Sequence, residues 1–392
     1  MAQSKKIRIE DLADVYERCA GLDVHKESVS VCVIAPGAQG RTEGEVREFG
    51  TTTRELRKLT AWLMERGVTH VAMESTGVYW VPVWQILEEG GFQLVLANAR
   101  AVRNVPGKKT DTADCVWLAT LLRKGLIQAS YIPPAQNRAL RDLCRAHSTL
   151  VRERVRVVQR IQALLETANI KLDSVISDVM GKSGRQMLEA LAGGETDAER
   201  LAEYALGRMR SKKPQLVAAL EGHFRPHQTF LLQQWLAHFD ELSERIDQFR
   251  EQIEEYVRPF EAAVARLTQM PGLERLSATK LLAETGADLA AFSSPQRFCS
   301  WAAVCPGNRR SAGKQRSGRT RHGNPWLRSV VVECARAASR SQHTYFYAQY
   351  HRLAPRIGKN CAAMAVAHSM LSVTWYLLTQ QVDFQDLGGD YY

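Results

Sequence analysis

The stretch CAGLDVHKESVSVCVI, residues 19–34, contains two strands in succession. Residues 20–24 are apolar except for Asp23, and residues 28–34 alternate with β-branched side chains, which is typical of a strand. A charged side chain inside an apolar strand costs free energy unless it is paired or binds a metal. Asp23 is therefore the first candidate for a functional site, with a purely structural aspartate as the alternative.

Strand and helix patterns continue from this pair of strands to about residue 130. Residues 46–49, 68–73 and 92–97 are predicted strands, and helices are predicted after residue 51 and after the break at Ser75-Thr76-Gly77. Three strands and a helix, followed by alternating strands and helices, indicate an α/β domain with a mixed sheet.

Three further carboxylates stand out in this domain. Glu74 ends the predicted strand 68–73, and ligands of open α/β sheets collect at such strand ends. In Lys109-Thr110-Asp111-Thr112-Ala113-Asp114 the two aspartates are three residues apart in the first turn of a predicted helix, so they share one face. Aspartates in a first turn also suit the helix dipole, which is the structural alternative.

The four carboxylates together predict a metal site. If the strands of Asp23 and Glu74 are neighbours, both lie at one edge of the sheet, where the helix of Asp111 and Asp114 can cover them. Four carboxylates in one place need divalent cations, and hard oxygen ligands select Mg²⁺, with Mn²⁺ as the alternative. Two such ions about 4 Å apart would hold the attacking and leaving oxygens of a phosphodiester.

The charge of the chain points to a polyanionic partner. The 392 residues include 52 lysines and arginines against 42 acids, a net charge of +10, which favours nucleic acid over a membrane surface. Residues 138–160 carry seven arginines and two acids, and residues 305–324, which are predicted to form a loop, carry six basic residues and no acid. We predict phosphate contacts, with a solvated surface as the alternative. The predicted contacts are Arg138, Arg141, Arg145, Arg152, Arg309, Arg310, Lys314, Arg316, Arg319 and Arg321.

The rest of the chain is predicted to be mostly helical. Residues 136–170 form a long helix by periodicity, and residues 228–258 show a coiled-coil seam that can pair within the chain or with another subunit. The turn Met270-Pro271-Gly272 resembles a helix–hairpin–helix phosphate-binding turn, although Glu274 replaces its second glycine, so a packing turn is the alternative. We predict domains over residues 1–130, 131–262 and 263–392.

The cysteines and the apolar segments indicate a cytoplasmic protein. The eight cysteines show no CxxC spacing, so neither disulfides nor a zinc site is predicted. The polar, basic N-terminus does not resemble a signal peptide. Residues 361–378 are apolar, but three hydroxyl side chains and His368 favour a buried helix over a membrane span.

Three motifs resemble one family. Gly21-Leu22-Asp23-Val24-His25-Lys26, Glu74-Ser75-Thr76-Gly77-Val78-Tyr79-Trp80 and the 109–114 stretch look like the acidic motifs of bacterial insertion-sequence transposases with a RuvC-like DEDD domain, which are associated with bridge RNAs. The match covers residues 18–130. Residues 270–272, 301–303 and 306–323 resemble the family's C-terminal transposase domain, whereas residues 171–227 are only vaguely similar.

This resemblance implies a fold and a chemistry. It implies an RNase H/RuvC-like N-terminal domain, a helical coiled-coil middle and a mostly α C-terminal domain. It also implies cutting and rejoining of DNA at element ends and target, a guide RNA and a homo-oligomer, dimeric or tetrameric, near the bacterial nucleoid. The family's serine nucleophile follows a proline by five positions, which falls on Ser311 after Pro306; Ser317 is a rival in the same segment.

Two other functions stay open at this point. A Holliday-junction-resolving nuclease would use the four carboxylates and a water molecule, without Ser311. A nucleic-acid-binding regulator would keep an inactive nuclease fold, but the presence of all four acids argues against it.

Overall fold

The structure is a computed structural model, and for residues 309–311 and 314–317 it describes the backbone only. It describes residues 12–37, 42–75, 77–98, 114–306, 309–311, 314–317, 320 and 323–391. Asp111, Arg319 and Arg321 lie outside the described residues. The chain divides into two compact units, Met1–Ile132 and Pro133–Tyr392.

The first unit is built on a five-stranded mixed sheet. Its strands are β1 (Cys19–Val24), β2 (Ser28–Pro36), β3 (Thr42–Gly50), β4 (His70–Glu74) and β5 (Gln93–Ala97), and its helices are α1 (Thr53–Glu65), α2 (Trp80–Glu89) and α3 (Asp114–Arg123). The strand order is β3-β2-β1-β4-β5. Strands β1 to β3 pair antiparallel, whereas β4 is parallel to β1 and to β5. The predicted α/β class and mixed sheet are confirmed.

The two faces of the sheet are covered by different helices. Alternate residues of β1, among them Ala20 and Leu22, pack in one apolar core with Leu59 of α1 and Val83 of α2. Successive strand residues point to opposite faces, so the odd-numbered residues of β1 lie on the other face. Cys19 there packs in a second core of buried residues with Cys115 and Ala119 of α3, together with Cys32, Ile34, Ala72 and Leu122.

Gly21 lets α3 lie directly on β1. A Cβ atom at Gly21 would stand 2.3 Å from the backbone nitrogen of Ala119 and 2.3 Å from the backbone oxygen of Cys115. Glycine inside a strand often marks the close approach of another backbone. The helix that begins at Asp114 is therefore held against the centre of the sheet.

The second unit is mainly helical. Its helices are α4 (Ala135–Thr167), α5 (Leu172–Val175), α6 (Lys182–Ala192), α7 (Ala198–Ala202), α8 (Lys213–Leu220), α9 (Pro226–Val257), α10 (Glu261–Leu267), α11 (Arg275–Thr285), α12 (Pro295–Trp301), α13 (Pro325–Ala338), α14 (Tyr345–Ile357) and α15 (Lys359–Thr379). Short 3₁₀ segments span Gly207–Lys212, Arg258–Phe260 and Gly389–Tyr391. Residues 171–227, which resemble the family only vaguely, form short helices around an apolar core that α4 and α9 share.

The predicted seam on α9 packs against α4 of the same chain. Gln228 near the start of α9 donates to Thr167 at the end of α4 at 3.1 Å, and Ser243 farther along accepts from Arg154 at 3.2 Å. The two helices therefore run antiparallel. Leu232 and Leu242 of α9 pack in the same apolar core as Val157 and Ile161 of α4.

The turn after α10 packs against a neighbouring helix. Gly272 has a positive φ of 81°, and a Cβ there would stand 2.5 Å from the backbone nitrogen of Ala338 in α13. The turn is thus pressed against a neighbouring helix. This contact favours the packing alternative over phosphate binding.

The apolar segment near the end of the chain forms α15. By length and composition this helix could cross a membrane, and half of its apolar window is buried inside the protein. Its buried residues are Ala362, Ala363, Val366, Ala367, Met370, Leu371, Thr374, Leu377 and Leu378. The burial agrees with the predicted buried helix.

One local prediction is wrong. The segment 305–324 was expected to be a loop, but it contains an antiparallel pair, β6 (Arg309–Ser311) and β7 (Lys314–Ser317). The sequence gives no sign of these strands because their residues are basic and polar rather than alternating with apolar ones. The helix before them ends at Trp301, and Ala303 just after it adopts a left-handed φ of 57°.

Candidate active site

The carboxylates of Asp23 and Glu74 come from neighbouring parallel strands. Leu22 of β1 is paired with Met73 of β4, so the next residue in each strand brings Asp23 beside Glu74. Adjacent strands are about 4.8 Å apart, and residues in register point to the same face. The two side chains are both partly buried. The two strands are therefore neighbours in the sheet, as predicted.

Asp114 lies on the same face of the sheet. Asp23 shares its face with Gly21, which contacts the backbone of α3, and Asp114 is the first residue of α3. Burial raises the pKa of the Cys115 thiol, and the negative charges of Asp23 and Asp114 raise it further. Both carboxylates therefore act on the same sulfur atom. Three of the four predicted acids therefore lie on the face of the sheet that α3 covers.

Two polar residues border these acids. His25 Nε2 lies 3.2 Å from an Asp23 carboxylate oxygen, although the His25 side chain is 64% exposed. Ser30 of β2 is directly opposite Asp23 in the antiparallel register and so lies on the same face. Asp23 is thus flanked by a carboxylate on one side and a hydroxyl on the other.

The donor set fits a hard divalent cation. All three acids offer oxygen atoms, and burial raises the pKa of the Cys115 thiol, whereas sulfur binds metals as thiolate. Among the described residues, which exclude Asp111, no three potential ligands are close enough to hold one ion. Where Mg²⁺ or Mn²⁺ binds, Asp23, Glu74 and Asp114 are the described residues that would hold it, with Asp111 as the predicted fourth ligand.

The candidate serine lies in the second unit, at the end of a hairpin strand. Ser311 is the last residue of β6 and pairs with Lys314, whereas Ser317 ends β7 and pairs with Arg309. The two serines therefore stand at opposite ends of the hairpin. A bridge between Pro306 and Thr320 closes its base.

A buried ion cluster fixes the segment after this hairpin. Asn324 caps α13 and donates from its side chain to Glu284 Oε2 at 2.6 Å. Arg145 holds the same carboxylate with two hydrogen bonds of 2.7 and 2.8 Å, and Arg141 lies 3.4 Å away. Only 4% of the Glu284 side chain is exposed. This Glu284 cluster ties the end of the hairpin segment to α4 and α11.

The α4 arginines that are predicted to contact phosphate differ in their surroundings. Arg141 and Arg145 are engaged with Glu284, and Arg138 donates to the Pro133 carbonyl oxygen at 3.2 Å. Arg152 is exposed, and its guanidinium carbon lies 4.4 Å from the Trp326 ring centroid. Arg309, Arg310, Lys314 and Arg316 lie on the hairpin strands. Phosphate binding by these residues stays a prediction.

Comparison with known proteins identifies the family. Residues 20–170 match a model described as a transposase DEDD domain of the IS110 type, and residues 264–351 match the model of the transposase IS116/IS110/IS902 family. Together the two matches cover more than half of the chain. The chain belongs to the IS110 family of transposases.

The transposase also resembles individual proteins along most of its length. It is 24% identical to “Putative transposase y4qE” of Sinorhizobium fredii over 94% of this chain and 81% of that protein. It is 24% identical to “Probable family 20 transposase” of Pseudomonas aeruginosa over 80% of this chain and 85% of that protein. A Thermus thermophilus RuvC structure aligns with 13% identity and a TM-score of 0.22, covering 29% of this chain and 99% of that chain.

Sequence reasoning missed several residues of the transposase. Gly21 and His25 were quoted only as parts of a motif, and Ser30 and Glu284 were not singled out. A glycine in the middle of an apolar strand was a usable signal for Gly21. An acid inside the apolar run Leu281-Leu282-Ala283-Glu284 was a signal for the buried cluster.

Replacing Gly21 with alanine should destabilise the first unit of the transposase. The added methyl group collides with the backbone of α3, which must move away from the sheet and take Asp114 with it. Overpacking of this kind costs about 1–3 kcal/mol, which a urea denaturation curve measures. The control is Gly44→Ala in β3, where the added Cβ would be 3.9 Å from the nearest atom. Equal stability of both variants would show that α3 does not depend on the small residue.

Proposed function

We propose that this transposase cuts and rejoins DNA with Ser311 as nucleophile and with a divalent-metal site formed by Asp23, Glu74, Asp111 and Asp114. Mg²⁺ is the preferred ion and Mn²⁺ the alternative, because all four ligands are carboxylates. The observation that carries the proposal is that Asp23, Glu74 and Asp114 lie on one face of the sheet.

The chemistry assigned to Ser311 is a transesterification. The Ser311 Oγ atom bonds to a backbone phosphorus and loses its proton, while the bond from phosphorus to the leaving deoxyribose oxygen breaks and that oxygen gains a proton. The cut strand stays on the protein as a phosphoserine. A strand end with a free hydroxyl then attacks the same phosphorus and releases the serine, so no external energy source is needed.

The protein's own groups support this step in separate ways. Arg309, Arg310 and Lys314 are close to Ser311 in the hairpin sequence, and cations there would stabilise the charge on the transferred phosphate. Bound metal ions would stabilise the negative charge on the attacking and leaving oxygens. The anchored base of the hairpin limits how far Ser311 can move, which favours a defined attack geometry.

The resemblance noted above also supports an RNA guide and a homo-oligomer. The excess of positive charge suits DNA and RNA alike, since both carry phosphate backbones. We therefore include a bridge RNA, DNA ends and target DNA among the partners, and place the reaction in the bacterial cytoplasm.

A reconstituted cleavage assay tests the proposal. Purified protein is incubated with end-labelled DNA that carries the junction of the element and its flank, with and without Mg²⁺ and with and without RNA transcribed from the element's non-coding end. We expect strand cleavage and a protein–DNA adduct on denaturing gels only when Mg²⁺ and RNA are both present. Cleavage without RNA would remove the guide from the proposal. Cleavage without any adduct would favour a metal-dependent nuclease that uses water.

A further inference from the structure

A small cavity lined by several charged side chains lies between α4, α11 and α13 in the second unit. Its volume is about 100 Å³, several times the ~15 Å³ that a single water molecule needs. The side chains that matter here are Arg145, Arg152, Lys280, Trp326 and Glu333. Glu284 also lines the cavity, so the cavity adjoins the cluster that anchors the Ser311 hairpin segment.

Lys280 is the unusual group in this cavity. It is partly buried, and within the described part of the chain it has no hydrogen bond or ion pair. Burial lowers the pKa of the Lys280 ammonium, and the positive charges of Arg250 and Arg152 lower it further, whereas Cys144 and Glu333 act in the opposite direction. A half-buried cation without a direct partner costs folding free energy. The protein therefore keeps at this position a charge that its own structure does not neutralise.

The other charged groups leave the cavity positive. The Glu284 carboxylate is already matched by Arg145 and Arg141. Glu333 is the remaining acid, and it accepts a hydrogen bond from Ser329 at 3.2 Å. Against this single acid stand Lys280 and Arg152, so one positive charge remains.

The charged groups of the cavity suit a phosphate group. The guanidinium carbon of Arg152 lies over the Trp326 ring, 4.4 Å from its centroid, and this cation–π contact holds the guanidinium at the cavity. A guanidinium has N–H groups that can donate to two oxygens of one phosphate. Lys280 adds a point charge from the other helix.

We propose that this cavity binds a backbone phosphate of the DNA strand that the Ser311 hairpin acts on, through Lys280 and Arg152. The inference rests on the proposed function and names a contact that would hold the DNA beside the hairpin. DNA is favoured over RNA because the cavity wall itself, through Glu284 and Asn324, anchors the segment that carries Ser311.

The salt dependence of DNA binding measures this contact. Affinity is titrated by fluorescence anisotropy with a labelled 30-base-pair duplex of the element end, and in parallel with a labelled RNA hairpin, between 50 and 300 mM NaCl. Each phosphate contact contributes about 0.9 to the slope of log affinity against log salt. Lys280→Gln should reduce the magnitude of the DNA slope by about 0.9 and weaken binding roughly tenfold at 100 mM salt.

The matched control is Lys182→Gln, which removes the same charge from an exposed position at the start of α6. Lys182→Gln should leave the salt slope unchanged, and Lys280→Arg should retain most of the wild-type slope. Lys280→Gln should also melt at the same temperature as the wild type or higher, because it removes an unpaired, partly buried charge. That result excludes misfolding as the cause of weaker binding.

Three outcomes would overturn the inference. An unchanged slope in Lys280→Gln would mean that no phosphate sits in the cavity, even though the proposed function would survive. A slope change with RNA alone would replace DNA by RNA as the ligand. If the wild-type protein binds neither nucleic acid, the proposed function fails and the cavity assignment fails with it.

Discussion

Ser311→Ala should lose both strand cleavage and the covalent protein–DNA adduct while keeping its affinity for DNA. The variant has no hydroxyl to bond to phosphorus, so neither the phosphoserine nor the free strand end can form. Removing a covalent nucleophile costs up to about a millionfold in rate where it has been measured in a hydrolase. One hydroxyl among several basic side chains adds little to binding. Denaturing gels with labelled element-end DNA measure the adduct, and anisotropy measures the affinity.

The hairpin supplies a matched control for this experiment. Ser317→Ala removes the same group about 7 Å along the same ladder, opposite Arg309. It should cleave DNA at close to the wild-type rate. The serine assignment would move to Ser317 if the adduct vanished in that variant and persisted in Ser311→Ala. Cleavage by both variants without any adduct would leave water as the nucleophile.

Asp23→Asn and Glu74→Gln should each lower the cleavage rate by about a thousandfold or more. A metal ion that stabilises charge in phosphate transfer is worth several kcal/mol, and about 4 kcal/mol corresponds to a thousandfold change. Both substitutions keep the size of the side chain and remove a negative ligand. Calorimetric titration with Mn²⁺ in the absence of DNA should show weaker metal binding in both variants.

The control for the metal ligands is Glu89→Gln. Glu89 is an exposed acid at the end of α2, on the other face of the sheet, and its substitution makes the same change in net charge. Its cleavage rate and Mn²⁺ affinity should match the wild type. Wild-type cleavage by Asp23→Asn would exclude that residue from the metal site, whatever the outcome for Glu74.

Local patterns were sufficient to predict the sheet and the acids. Strands β1 and β2 follow from alternation and apolar runs, and Glu74 stands out because it ends such a run. The position of Asp114 follows from the apolar spacing of α3. These patterns depend only on residues that are close together in the chain, so a single sequence is enough to detect them.

Long-range contacts could not be predicted from the same patterns. Residue spacing does not indicate that Glu284 pairs with Arg145, which is 139 residues away in the chain. It also does not indicate that α9 packs against α4. The hairpin β6–β7 was missed because its strands lack apolar alternation. Ser311 itself was selected through family resemblance and not through its chemistry.

The ion pair between Arg145 and Glu284 also limits how this protein can be divided and recombined. The first matched family segment, residues 20–170, continues past the structural boundary at Ile132 and contributes all of α4 to the second unit. Arg145 belongs to that segment and Glu284 to the second matched segment, residues 264–351. If one segment were exchanged for the corresponding segment of a relative, either Arg145 or Glu284 would lose its native partner. The two segments are expected to function in a chimera only when the pair is inherited together, so the crossover belongs near residue 132 and not at 170.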